Sequence, residues 1–400
     1  MVSVKNTGIE KMETINVGIF GHIDHGKTTL LHKLTGVWAS RYTEELKRGI
    51  TIKLGYADVI LYNDNGEFNT EGKGEAIRHI SFVDSPGHEM LMATMMSGAA
   101  LIDVAILLVS ANEGIKPQTR EHLMALQAKK IKNIIIVQNK IDLIDKDKAK
   151  KNYEDIKEFL KGKCDAPIIP VSAQQGINVQ EIWKALVEMK IPERDTKSEP
   201  VFLIARSFDI NRPGTTPKDL HGAVLGGSLK RGILRVGDII EIKPGRLVKE
   251  ANQYRFEKLK CKIENLFKGS KKTDNLTPGG SMSIETSLDM ALGKSDLLAG
   301  NVVSLEGKLP EITTHLKINY NLFPQVYGVS GEAKVENLKI SETLMLSVNT
   351  SITAGIVRSL KNNVLEVELK MPIVAFKGDN IGIARNINAH WRLIGYGEIV

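Results

Sequence analysis

Apolar runs and helix-spaced stretches alternate along the first half of the chain. Ile15, Val17, Ile19 and Phe20 form a strand-like run that stops at Gly21, and Leu30, Leu31 and Leu34 follow at helical spacing up to Gly36. The stretches HISFVD (79–84), VAILLVSA (104–111), NIIIVQN (133–139) and PIIPVSAQ (167–174) are further strands, while 116–130 and 179–190 carry helical periodicity. Near-continuous apolar strands alternating with helices predict a mostly parallel sheet with helices on both faces. The turn-rich segment 63–75 predicts a hairpin or loop insert. After a polar linker at 192–200 the helical period stops. VFLIARSFDI, GAVLGGSLKRG, ILRVGDIIEIKPG and KCKIENLF are short strands set off by Gly, Pro and Asn, which predict a small β-barrel. A second such run begins near Pro310. The expected architecture is therefore an α/β domain over 1–198, a β-barrel over 199–309 and a second β-barrel over 310–400.

Composition changes this picture little. Of the 400 residues, 25% are charged and 42% apolar, as in an ordinary globular protein. The net charge of +7 hints at a polyanionic partner. Two distant cysteines, Cys164 and Cys261, make neither a disulfide framework nor a metal site and suggest a reducing, cytoplasmic setting. The N-terminal stretch has no apolar signal-peptide core, and the apolar run 99–109 is too short to span a bilayer, so no membrane role is expected. Lys230, Arg231, Arg235, Lys268, Lys271 and Lys272 lie between barrel strands, either as phosphate contacts or as solvated loop charges.

The first strand runs into G-x-x-x-x-G-K-T, with Gly21, Gly26, Lys27 and Thr28 in the fixed places, and then into a helix. That is the phosphate-binding loop in the context it requires. Glycines let the backbone bend and approach a polyphosphate, and the helix N-terminus faces it with unpaired N–H groups. Lys27 can reach the outer phosphates and the Thr28 hydroxyl can ligate Mg²⁺.

Later motifs fall at the C-terminal ends of the strands, where such sheets bind ligands. Thr51 ends a polar segment and suits a switch that ligates Mg²⁺ only while a γ-phosphate is present. Asp84, Ser85, Pro86 and Gly87 spell D-x-x-G: Asp84 can hold Mg²⁺ through water, and the Gly87 N–H can meet the γ-phosphate. His88 follows and is expected to orient the attacking water. Asn139, Lys140 and Asp142 spell N-K-x-D. The carboxylate can accept from N1 and the 2-amino group of guanine, Lys140 can lie over the base, and Asn139 can tie loops together. Ser172, Ala173 and Gln174 can place a backbone N–H at the guanine O6. The substrate is expected to be GTP, hydrolysed to GDP, and turnover by the chain alone is expected to be slow, since no arginine finger is apparent.

A GTPase head with two barrels resembles the translational GTPases. GHIDHGKTT, RGITI and DSPGH are the pattern of the elongation factor Tu superfamily. EELKRGITIKLGYAD, GHEMLMATMMSGAALID, IIIVQNKIDL, ARSFDINRPGT and HWRLIGYGEI resemble the gamma subunit of archaeal and eukaryotic initiation factor 2. That resemblance covers nearly the whole chain. It implies a heterotrimer, with an alpha subunit on the second domain and a beta subunit on the G domain. It also implies carriage of methionylated initiator tRNA to the small ribosomal subunit, with the amino-acid-bearing end between the G domain and the second domain. By motif, Thr28 and Thr51 would bind the main Mg²⁺, and Asp24 and the Gly49 carbonyl a second one. Asp24, His25, Gly26, Lys27, Thr28 and Thr29, with Asn139 to Asp142 and Ser172 to Gln174, would hold the nucleotide. Many relatives carry a zinc knuckle of two C-x-x-C pairs after the GYAD stretch. Residues 57–80 have no Cys here, so no zinc is expected, and the insert 63–75 reads as a remnant. A selenocysteine-specific elongation-type carrier and the GTPase subunit of a sulfate-activating enzyme are the alternatives.

Overall fold

The computed structural model describes residues 12–38, 54–86, 92–250, 253–327 and 333–400. The first part of the chain folds as β1 (Thr14–Gly21), α1 (Lys27–Thr35), β2 (Gly55–Asp64), β3 (Glu67–Asn69), β4 (Glu75–Asp84), α2 (Met92–Ala99) and β5 (Val104–Ser110). Then come α3 (Pro117–Ala128), β6 (Asn133–Asn139), α4 (Lys146–Leu160), β7 (Ile168–Pro170) and α5 (Val179–Glu188). The strand order is β3-β2-β4-β1-β5-β6-β7. β4, β1, β5, β6 and β7 run parallel, while β2 and β3 add antiparallel pairings at one edge.

Side-chain alternation divides the core across this sheet. Ile15, Val17, Ile19, Ile106, Leu108, Ile135 and Val137 face Leu30, Leu31 and Leu34 of α1 and Ile182, Trp183 and Leu186 of α5. Phe20, Ala105, Leu107, Val109, Ile134 and Ile136 face the other way, onto Met95, Met96, Leu123, Leu126 and Ile156 from α2, α3 and α4. Each such large side chain contributes roughly 1.5–3 kcal/mol by leaving water. The second face does not end at its helices. Val201, Leu203, Val302 and Leu393 from the barrel strands, and Val374 just past one, join the same apolar cluster.

The segment 63–75 forms the tip of the β2–β4 hairpin with β3 folded beside it. Gln180 of α5 holds it: its side-chain oxygen accepts from the Phe68 N–H at 3.1 Å, and its amide donates to the Phe68 carbonyl at 2.9 Å. Phe68 packs at the margin of the α1–α5 core. A hairpin docked on a helix thus occupies the expected insert.

Six antiparallel strands between Val201 and Leu305 close a first barrel. The Ile239–Glu250 and Gln253–Lys268 strands make the closing pair, and Lys271–Thr273 is appended to the latter. Both run well beyond the short strands expected there. Six strands between Thr313 and Ile399 close a second barrel around Leu344, Leu346, Val357, Val367, Ile381 and Ile383. No helix among the described residues is long and apolar enough to cross a membrane.

Candidate functional site

β1 ends at Gly21, where φ is +139° and an added Cβ would lie 2.7 Å from the Leu108 carbonyl oxygen. The loop then turns through Asp24, at φ +59°, to Gly26, at φ +92°, which starts α1. A Cβ on Gly26 would overlap the Asn139 side-chain amide. Both glycines are therefore fixed by close approach as well as by backbone angle. The first N–H groups of α1 open into this cradle, the arrangement that binds phosphate.

Lys27 is buried and lies back over the loop, donating to the His22 carbonyl at 2.7 Å. Burial pulls its ammonium down to about 8, opposed by the Asp84 and Asp24 carboxylates. The Thr28 hydroxyl donates to Asp84 Oδ2 at 3.1 Å, so the loop helix and the end of β4 meet through oxygen donors. A hydroxyl beside a carboxylate is the donor chemistry that Mg²⁺ takes. Asp24 is exposed, and Thr29 is half-buried on the first turn of α1. Thr51, Gly49, Gly87 and His88 lie outside the described residues.

Asn139, at the end of β6, joins the other two loops. Its amide donates to the His25 carbonyl at 2.9 Å, and its oxygen accepts from the Ala173 N–H at 3.0 Å. His25 is buried beneath the loop. Its Nδ1 accepts from the Ser110 N–H at 3.2 Å, and burial pushes the imidazole down to about 3, so it stays neutral. Lys140 follows at φ +64°, its Nζ 3.9 Å from Glu113. Asp142 is exposed on the 3₁₀ turn Ile141–Leu143. Ser172 is buried with its hydroxyl accepting from the Gln175 N–H at 3.2 Å, while Gln174 points outward. The phosphate loop, the N-K-x-D turn and the Ser172–Gln174 loop thus meet at one edge of the sheet.

Three polar residues of this region escape a reading of pattern alone. His122 Nδ1 accepts from the Gly21 N–H at 2.9 Å, Gln118 accepts from the Ile23 N–H at 3.4 Å, and Glu121 pairs with Arg392 of the second barrel at 3.1 Å. Gln118 and His122 are four apart on α3, which is the one available signal. Periodicity does not separate such a buried polar face from a solvated one. The loop charges also divide. Lys230 pairs with Asp379 at 2.7 Å, Arg231 lies 5.0 Å over the Phe376 ring, and burial, with Arg194 nearby, pulls Lys268 down to about 8 against the opposing Asp58 carboxylate. Each of the three thus meets a group of another domain, Lys230 while remaining exposed. Arg235, Lys271 and Lys272 are exposed.

Comparison with known proteins decides the family. Residues 12–192 match the elongation factor Tu GTP binding domain, and residues 314–399 match the initiation factor eIF2 gamma C-terminal domain. Translation initiation factor 2 subunit gamma of Archaeoglobus fulgidus is 48% identical over 401 residues, covering 96% of this chain and 94% of its own. The chain belongs to the translation initiation factor 2 gamma subunits. The Methanocaldococcus jannaschii member is likewise 48% identical, across 97% of this chain and 98% of its own. This gamma-family chain is a GTP-dependent initiation factor subunit and a GTPase. Among solved structures, a bacterial selenocysteine-specific elongation factor aligns with TM-score 0.77 at 22% identity over 97% of this chain, which spans 58% of that structure's length. The elongation factor SelB of Methanococcus maripaludis, solved with the GTP analogue GppNHp, aligns with TM-score 0.74 at 23% identity and 79% of its length. At that identity the two share the fold alone.

Proposed function

We propose that this gamma-family chain, in its GTP-bound form, carries methionylated initiator tRNA to the small ribosomal subunit and releases it when GTP becomes GDP. The supporting observation is the joining of three loops through Asn139 at the carboxyl edge of the sheet. This occurs in a chain that aligns from end to end with archaeal gamma subunits.

Lys27 and the loop N–H groups hold the outer phosphates. The exposed Asp142 carboxylate accepts from guanine N1 and the 2-amino group, Lys140 lies over the base, and the Ser172–Gln174 backbone meets O6. Thr28 and Thr51 would hold the main Mg²⁺, with Asp84 acting through water, and Asp24 with the Gly49 carbonyl would hold a second. When bound, the ion neutralises charge that builds on the phosphate oxygens. The Gly87 N–H meets the γ-phosphate, and His88 orients the attacking water. Loss of the γ-phosphate frees the Thr51 and Gly87 segments, and the tRNA-holding arrangement is lost with them. Alpha docks on the first barrel and beta on the G domain, completing a cytoplasmic heterotrimer. The three domains span 1–198, 199–309 and 310–400.

The test is co-sedimentation of labelled methionylated initiator tRNA with small ribosomal subunits, in the presence of this chain and an alpha subunit. The chain with a non-hydrolysable GTP analogue should retain the tRNA on the subunit, and should leave it behind with GDP. Equal co-sedimentation with GDP, or without the chain, would sink the proposal.

A further inference from the structure

Helix α3 touches two things that the G-domain motifs do not connect. On one side it grips the phosphate loop: His122 accepts the Gly21 N–H and Gln118 accepts the Ile23 N–H. On its neighbouring side it is seated on the second barrel. Glu121 meets Arg392, and both side chains are almost wholly buried. Lys129, just past its end, donates to the Ser347 carbonyl at 3.1 Å, and the Arg120 guanidinium lies 5.6 Å from the Tyr327 ring.

The Gly21 N–H is the last of β1 and lies at the start of the cradle. Its bond to His122 fixes the peptide plane from which the loop departs, and so the direction in which the following N–H groups face. An imidazole can accept there only while Nδ1 carries no proton. Burial, helped by Lys27, His22 and His25, pushes His122 down to about 3, so the ring is neutral, and the Gly21 N–H directed at Nδ1 leaves its one proton on Nε2.

We propose that α3 couples the seat of the second barrel to the phosphate loop, with His122 as a positioning residue and the Glu121–Arg392 pair as its fixing point. The barrel's docking then helps to set how long a nucleotide stays bound. The inference rests on the guanine nucleotide lying at the Gly21–Thr28 loop.

The measurement is the release rate of a fluorescent GDP from the full chain. His122→Leu fills the space without an acceptor and should speed release at least ~10-fold, the scale of one buried hydrogen bond. His122→Asn keeps an acceptor on Cγ and should restore most of the retention. Glu121→Gln with Arg392→Met removes the barrel link without stranding a buried charge. It should speed release in the parent chain but add nothing in the His122→Leu background. Unchanged release in His122→Leu would overturn the proposal. So would Asn behaving like Leu, which would mean packing alone, or effects that multiply, which would mean no coupling. Absence of GDP binding by the parent chain would instead refute the placement of the nucleotide.

Discussion

Asp142 is exposed on its turn, while Asn139, three residues before it, is buried and already spent on two loop contacts. Asn139 therefore assembles the loops, and the proposed function leaves recognition of the base to the exposed Asp142. Asp142→Asn offers an amide donor where guanine needs an acceptor, but where xanthine presents a carbonyl. Affinity for GTP should fall ~100-fold, with xanthosine triphosphate bound instead, as measured by competition against fluorescent GDP. His122 makes a second claim, on stability. Its folded pKa of about 3 lies below the ordinary imidazole value of 6.5, so the unfolded chain holds the extra proton between those limits. The contribution is complete above about pH 6.5 and is lost as the pH falls toward 3. In the nucleotide-free chain, His122→Asn should flatten the pH dependence of unfolding in that window by about 1.4 kcal/mol per pH unit. Denaturant titrations at several pH values would read that slope. Asp142 was legible from its motif, but His122 was not: nothing in QTREH distinguishes an imidazole turned into the loop from one turned to water.

At the scale of elements, β1, β5 and β6 were legible because their apolar runs are buried on both faces and each stops at a residue that bends the chain. α4 was not singled out, although Asp145 caps it by accepting from the Lys148 N–H at 2.9 Å. Its lysines and acids face water, and only a narrow stripe with Ile156, Phe159 and Leu160 is buried, so its apolar signal is weak. The barrels were legible as strands set off by turns. Ile239–Glu250 and Gln253–Lys268 pair far beyond the short pieces, because polar residues of a partly exposed hairpin do not look like strand formers. The 63–75 insert was legible as a hairpin or loop, but not which of the two, nor its docking on Gln180. Gln180→Ala should cost about 1 kcal/mol and leave the Phe68 amide open to fast hydrogen exchange, with the inner amides of β4 as slow as before. Unchanged protection at Phe68 would mean that the hairpin holds itself.

The whole molecule is organised by what the sheet leaves uncovered. The α2–α3 side of the G-domain core is completed by barrel residues, and polar links flank it. Asn16 accepts from the Gly280 N–H at 2.6 Å, Ser81 accepts from the Ser281 N–H at 2.7 Å, and Ser97 donates to the Thr350 carbonyl at 3.3 Å. Arg194, within the polar linker, donates to both Asp103 oxygens and to the Thr14 carbonyl, so that segment is tied to the G domain. The G domain and the barrels are thus parts of one packed unit, and a change at the loops has routes to both barrels. Such packing supports the GTP-controlled carriage of tRNA proposed above. The most direct test is filter binding of methionylated initiator tRNA to this chain with an alpha subunit, at fixed salt because phosphate contacts make affinity salt-dependent. The account predicts tighter binding with a non-hydrolysable GTP analogue than with GDP, and preference for initiator over elongator tRNA. Binding that ignores the nucleotide, or no binding with alpha present, would contradict it.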